Sequence, residues 1–149
     1  MVQKIKSCIY FFRLLFVIPL QYKLKIMKKD KRTVLIVDDS ILIIERMIPL
    51  LEEIENISFV IHAASYEEGL EVLSRLTPDM VLLDINLPDK SGIELLRVIR
   101  ERHLEIAVLM ISNNAGEYYR NICKKLGAQY FLDKSTDIDL IPSVLSNAC

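Results

Sequence analysis

The stretch MVLLDINLPDKSG, Met80–Gly92, sets four apolar residues before a single carboxylate, Asp84. The apolar run predicts a strand buried on both faces of a sheet. Pro88, Asp89 and Gly92 mark a turn, and a helical pattern begins at Ser91. A carboxylate at the mouth of such a strand is either a solvated terminus or a working group. The neighbouring segments decide between them.

Outward from Met80, short apolar runs alternate with helical stripes. Strands are expected at Thr33–Val37, Ile57–His62, Asp79–Leu83, Ile106–Ile111 and Gln129–Leu132. The second, partly alternating, suits a sheet edge. Helices are expected at Ser40–Glu53, from Ser65 to Leu76, and at Ser91–Arg102, Ala115–Leu126 and Asp137–Asn147. Pro49 predicts a kink or a late start in the first helix. Ser65 and Glu68 form a capping box in front of a stripe at Leu70, Leu73 and Leu76. Five strands alternating with five helices predict an α/β, doubly wound, five-stranded parallel sheet with helices on both faces. In the flavodoxin-like order 2-1-3-4-5, chemistry belongs just after the first and third strands. Asp38 and Asp39 follow the first, and Asp84 follows the third.

Three carboxylates converging on one crevice repel each other unless a counter-charge is present. An all-oxygen set suits a hard cation, and Mg2+ accepts one or two carboxylates, a carbonyl, waters and a phosphate oxygen. Ser112 and Lys134 close the fourth and fifth strands, where a hydroxyl and an ammonium would bind an anion held on Asp84. Carboxylates serve as phosphoryl acceptors.

At these residues the sequence resembles the receiver domain of two-component response regulators. The motifs are VDDS (Val37–Ser40), LLDINLPDKSG (Leu82–Gly92), MIS ending at Ser112, and YFLDKS (Tyr130–Ser135), in order and each at a strand end. The resemblance covers Thr33 to about Asn147. It implies that Asp84 is the phosphoacceptor, that Asp39 ligates Mg2+ directly with Asp38 assisting through water, and that Asn86 adds its backbone carbonyl. Ser112 and Lys134 would contact the phosphoryl group, and Phe131 would be the aromatic that turns inward with the hydroxyl residue. The phosphoryl donor would be a sensor histidine kinase or a histidine phosphotransfer protein. The output would be a protein partner at the fourth helix, fifth strand and fifth helix, about Asn114 to Asn147. The only chemistry implied is the domain's own phosphorylation and dephosphorylation. Three departures stand out. Ser135 replaces a common proline, Asn113 follows Ser112 where a small residue is common, and Pro49 interrupts the first helix. Asn86, Asn113 and Asn114 are candidates for setting the lifetime of the phosphoryl group.

Charge excludes a further class. Of 19 Lys and Arg, nine precede Thr33 against one acid, Asp30, leaving ten basic and 19 acidic residues from Thr33 onward. The folded part is acidic, and nucleic acid is not an expected partner. Residues 1–30 read as an apolar and basic extension outside the fold, with Met27 as the natural start and 31–149 as the receiver. The run Cys8–Leu20 is broken by Arg13 and too short to span a bilayer, so membrane contact by residues 1–30 is the lesser alternative. Cys8, Cys123 and Cys149 suggest reduced thiols in a cytoplasmic protein. His62 and His103 read as structural or surface residues. The chain ends just after the last helix, so a stand-alone receiver without a DNA-binding output domain is expected. Two competing readings are a receiver-shaped docking module that is never phosphorylated and a haloacid-dehalogenase-type phosphatase. The phosphatase would carry an Asp-x-Asp nucleophile on its first strand, whereas here the paired acids come first and Asn86 stands two after Asp84.

Overall fold

The computed structural model describes residues 31–102 and 105–147. The N-terminal extension 1–30, Met27, Cys8, His103 and Cys149 lie outside the described residues. The strands are β1 (Arg32–Val37), β2 (Ile57–Ala63), β3 (Met80–Asp84), β4 (Ala107–Ser112) and β5 (Tyr130–Asp133). Between and after them run α1 (Ile41–Glu52), α2 (Tyr66–Arg75), α3 (Gly92–Arg102), α4 (Glu117–Lys125), a 3-10 turn (Ile138–Leu140) and α5 (Ile141–Asn147).

All strand pairs are parallel and the order is β2-β1-β3-β4-β5, as expected, with β2 at an edge. The five residues of β3 are all buried. Two apolar clusters cover the sheet's faces. One packs α2, α3 and α4 through Val72, Leu95, Ile99 and Cys123. The other packs α1 and α5 through Ile44, Met47, Leu51 and Leu145.

Three strands end one residue later than the apolar runs do. Asp84 pairs with Ile111, and Ser112 with Asp133, so the ladder continues into the polar residues at the mouth. That rigid pairing fixes the direction of the first functional side chain on each strand.

Two local expectations are met only in part. Of the kink or late start expected from Pro49, the late start does not occur: α1 begins at Ile41 and runs through Pro49. Ile44, Met47, Ile48 and Leu51 bury one continuous face, and that burial outweighs the single hydrogen bond a proline removes. On α2 the buried face is Tyr66, Gly69, Val72 and Leu73, with Leu70 and Leu76 only partly buried. Gly69 causes the rotation. It lies so close to Leu95 and Val37 that a Cβ would meet Leu95 Cδ2 at 2.9 Å, so the helix settles on its glycine. The capping box forms with a shift. Glu68 N–H donates to Ser65 Oγ at 3.1 Å, while the Glu68 carboxylate accepts from Ala64 N–H, one residue earlier than the motif requires. No helix among the described residues is long and apolar enough to cross a membrane.

Candidate functional site: an acidic crevice at the strand mouths

The crevice opens where the carboxyl ends of β1 and β3 diverge from their helices. Asp38, one residue past β1, is fully buried, and its N–H donates to the Ala63 carbonyl at 3.0 Å. Its carboxylate turns back to accept the Ser40 N–H at 2.9 Å. Asp39 is exposed. Asp84 is buried at the end of β3. One carboxylate oxygen from each of Asp38, Asp39 and Asp84 lies within 4.8 Å of the other two.

Lys134 enters from the end of β5 and is itself buried. Its Nζ reaches Asp38 Oδ2 at 2.7 Å and Asp84 Oδ2 at 2.8 Å. The ammonium is the counter-charge the carboxylates require. Burial acts to lower its pKa, but the hydrogen bonds and charges of Asp38 and Asp84 win and hold it above the ordinary lysine value. Burial pushes the Asp84 carboxyl above its ordinary value. Lys134 opposes that push, Asp38 adds to it, and the Asn86 backbone N–H opposes it. The second oxygen, Asp84 Oδ1, is buried without a hydrogen-bond partner. Orphaned buried oxygens are costly, so this atom is suited to receive a ligand. An all-oxygen trio with an unpartnered member fits a hard divalent cation.

The rim is built by loops. Gly92 opens α3 so near β3 that a Cβ would fall inside the van der Waals shell of the Asp84 carbonyl oxygen. Only glycine permits that approach. The β3–α3 loop is closed by an antiparallel bridge between Asn86 and Ser91. Ser112 is fully buried, and its Oγ accepts the Asn114 N–H at 3.0 Å. Asn86, Asn113 and Asn114 are exposed. Phe131 is partly buried against the α2–α4 cluster, three residues before Lys134. Thus Asp38, Asp39, Asp84 and Lys134 converge in direct contact or near it, Ser112 and the asparagines border them, and Phe131 lies behind.

Three residues shape the site without a role at the site assigned to them by the sequence. His62 pairs with Ile36 in register, and its Nε2–H donates to the Asp38 carbonyl at 2.8 Å. A carbonyl can only accept, which sets the tautomer. Asp89 accepts the N–H groups of Tyr66 and Glu67, both at 2.9 Å, and so caps α2 from the neighbouring loop. Burial acts to raise its carboxyl pKa, but the backbone N–H groups of Glu67, Tyr66 and Lys90 override that and hold it below the usual value. Arg120 joins α4 to β5 through the Phe131 carbonyl, to which its Nη1 donates at 3.0 Å. His62 was open to inference from its place at a strand end; the other two have partners fixed only by the tertiary fold. Tyr118 on α4 is 70% exposed.

Residues 34–146 match the response regulator receiver domain family. The chain belongs to that family. Among relatives, it is 32% identical over 107 residues to a protein-glutamate methylesterase/protein-glutamine glutaminase of Clostridium acetobutylicum, covering 70% of this chain and 31% of that protein. It is 30% identical over 122 residues to the nitrate/nitrite response regulator NarL of Escherichia coli, covering 80% of this chain and 56% of that one. The chain thus spans a third to just over half of these relatives, and the activities in their names are theirs. Among solved structures, the response regulator domain of Thermotoga maritima CheB superimposes with a TM-score of 0.69 at 26% identity, covering 78% of this chain and 92% of that one. A response regulator from Chloroflexus aurantiacus gives 0.70 at 26% identity, covering 78% and 96%. As a receiver domain of two-component signal transduction, this chain has a fold whose family role is to carry phosphoryl signals.

Proposed function

We propose that this receiver takes a phosphoryl group onto Asp84 from a histidine kinase or a histidine phosphotransfer protein and signals by changing shape. The observation that carries this reading is the buried, unpartnered Asp84 Oδ1 beside the Lys134 ammonium. In the transfer, a carboxylate oxygen of Asp84 attacks phosphorus. The bond to the donor's leaving nitrogen or oxygen breaks, and the electron pair leaves with it. Lys134, already within reach of both acids, moves its hydrogen bond to a phosphoryl oxygen, and Ser112 offers its hydroxyl to another.

Asp39 and Asp84 would hold Mg2+ directly, with Asp38 through water and the Asn86 carbonyl. The cation offsets charge on the transferred group. Asp38 and Asp84, fixed by buried strands, set the position of that cation relative to phosphorus. Asn86, Asn113 and Asn114 stand at the exposed rim, where water must pass to hydrolyse the product, and are proposed to tune its lifetime. Rearrangement of Ser112 and Phe131 would alter the face formed by α4, β5 and α5, spanning residues 114–147, where a downstream protein would read the state.

Incubation with acetyl phosphate and Mg2+ tests this directly by intact mass spectrometry. A Mg2+-dependent adduct of one phosphoryl group is expected on the wild type and none on Asp84→Ala. A folded, Mg2+-binding protein that gains no adduct would instead be a docking module. Continuous phosphate release beyond the adduct's own decay would point to a phosphatase.

A further inference from the structure

Arg120 touches both elements that border the crevice on its β4–β5 side. It lies in the first turns of α4, and its Nε donates to the Ala115 carbonyl at 2.9 Å. That carbonyl belongs to the loop leaving β4 just after Ser112. The Nη1 donates to the Phe131 carbonyl at 3.0 Å, on β5 and three residues before Lys134. The guanidinium carbon stands 4.8 Å from the centroid of the Phe131 ring. The same group therefore bonds the backbone of β5 and roofs its aromatic side chain. A planar fork can do both at once, and a single ammonium cannot.

We propose that Arg120 is a positioning residue that latches α4 and the β4–α4 loop to β5 in the unphosphorylated protein, setting how readily Ser112 and Phe131 rearrange. The proposal rests on the function given above. Ser112 Oγ accepts the Asn114 N–H, so the hydroxyl cannot shift toward an anion on Asp84 without loosening that bond or carrying the loop with it. Arg120 holds the next residue of that loop by its carbonyl. The partly buried Phe131 ring packs on the core with a guanidinium over its face, so a ring turning further inward gives up the cation–π contact. Both movements are opposed by one side chain. Loss of the latch raises the population of the rearranged state, and a small phospho-donor then reacts faster. A contact of this class corresponds to about a two- to fivefold change in that population.

The test uses the full chain with acetyl phosphate and Mg2+, comparing initial rates by intact mass for wild type, Arg120→Lys and Arg120→Ala. The 19F resonance of fluorinated Phe131, assigned through Phe131→Leu, is recorded on the same proteins without donor. Expected are rates raised about two- to fivefold in Arg120→Ala, an intermediate rise in Arg120→Lys, and a displaced or exchange-broadened Phe131 resonance. Equal or slower rates overturn the latch, whether or not the resonance moves, because a purely structural contact would not speed the reaction. If the wild type accepts no phosphoryl group, the function proposed above fails. The latch is then decided by the spectrum alone: broadening gained in Arg120→Ala keeps it, and an unchanged line removes it.

Discussion

On the β1–β3 side of the crevice, the acids are held by burial and by backbone. Asp38 and Asp84 are buried, His62 and Ala63 grip the Asp38 main chain, Gly92 presses against the Asp84 carbonyl, and Asp89 caps the adjacent helix. On the β4–β5 side, the fastenings are single side chains reaching across exposed loops: Arg120 to Ala115 and Phe131, and the Ser112 hydroxyl to Asn114. A nucleophile and its metal ligands need fixed geometry, whereas a response needs an element that opens at modest cost. Under the proposed function, the two sides would divide those requirements between them.

Two alanine substitutions break the comparison at its extremes. Gly92→Ala places a methyl group on the Asp84 carbonyl, a clash with backbone that no side-chain rotation relieves. A loss of about 4 kcal/mol or more is expected by urea denaturation. Gly116→Ala, at the start of α4, meets only Asn114 Oδ1 at 3.7 Å, and its φ of −58° suits any residue. Its effect should stay within about 0.5 kcal/mol. Similar losses at both positions would mean that the β4–β5 side is as rigid as the other.

Lys134→Met comes next. It keeps the apolar stem and removes the charge that faces Asp38 at 2.7 Å and Asp84 at 2.8 Å. Leaving two buried acids without their cation should cost about 3 kcal/mol without metal, and Mg2+ should recover part of it. Thermal melts with and without Mg2+ read both effects.

A smaller effect separates burial from pairing at Asp84. Its carboxyl lies above the ordinary 3.8, so the native state holds its proton more tightly than the unfolded chain. Stability from this group is fully present below the unfolded value and is lost as pH rises through the native one. Asp84→Asn does not titrate. With a chelator present, its stability relative to wild type should therefore rise as pH is taken upward from the ordinary carboxylate value of 3.8. Urea midpoints at rising pH check the slope. An opposite slope would mean that Lys134, rather than burial, governs the acid.

The strand-end residues are legible in the sequence on both sides of the crevice, and the fastenings that only tertiary contacts supply are not. Sheet order and the placement of Asp38, Asp84, Ser112 and Lys134 follow from one rule about strand ends in doubly wound sheets, which needs only local patterns. Asp89 reads locally as a turn residue, because its partners lie 22 and 23 residues back on α2. Arg120 sits 11 residues from Phe131 and has no periodic signature. Pro49 misleads for the opposite reason: its local cost is plain, while the buried face that outweighs it is spread over the helix.

The smallest expected effect concerns the strap between the two sides. Arg46 on α1 pairs with Asp139 of the 3-10 turn through two bonds of 3.0 Å, joining the helix after β1 to the segment after β5. Both bonds come from the one Nη2, and the side chains are 47% and 71% exposed, so water and salt screen the pair. Asp139→Ala should change stability by less than about 0.5 kcal/mol, and the change should vanish in 1 M salt. Beneath it, Ile138 and Ile141 are fully buried in the α1–α5 cluster and already join the two sides by packing. A double-mutant cycle with Arg46→Ala isolates the pair from that background. A coupling above about 1 kcal/mol would place the ion pair, rather than the apolar contact, in charge of how far β5 can move relative to β1.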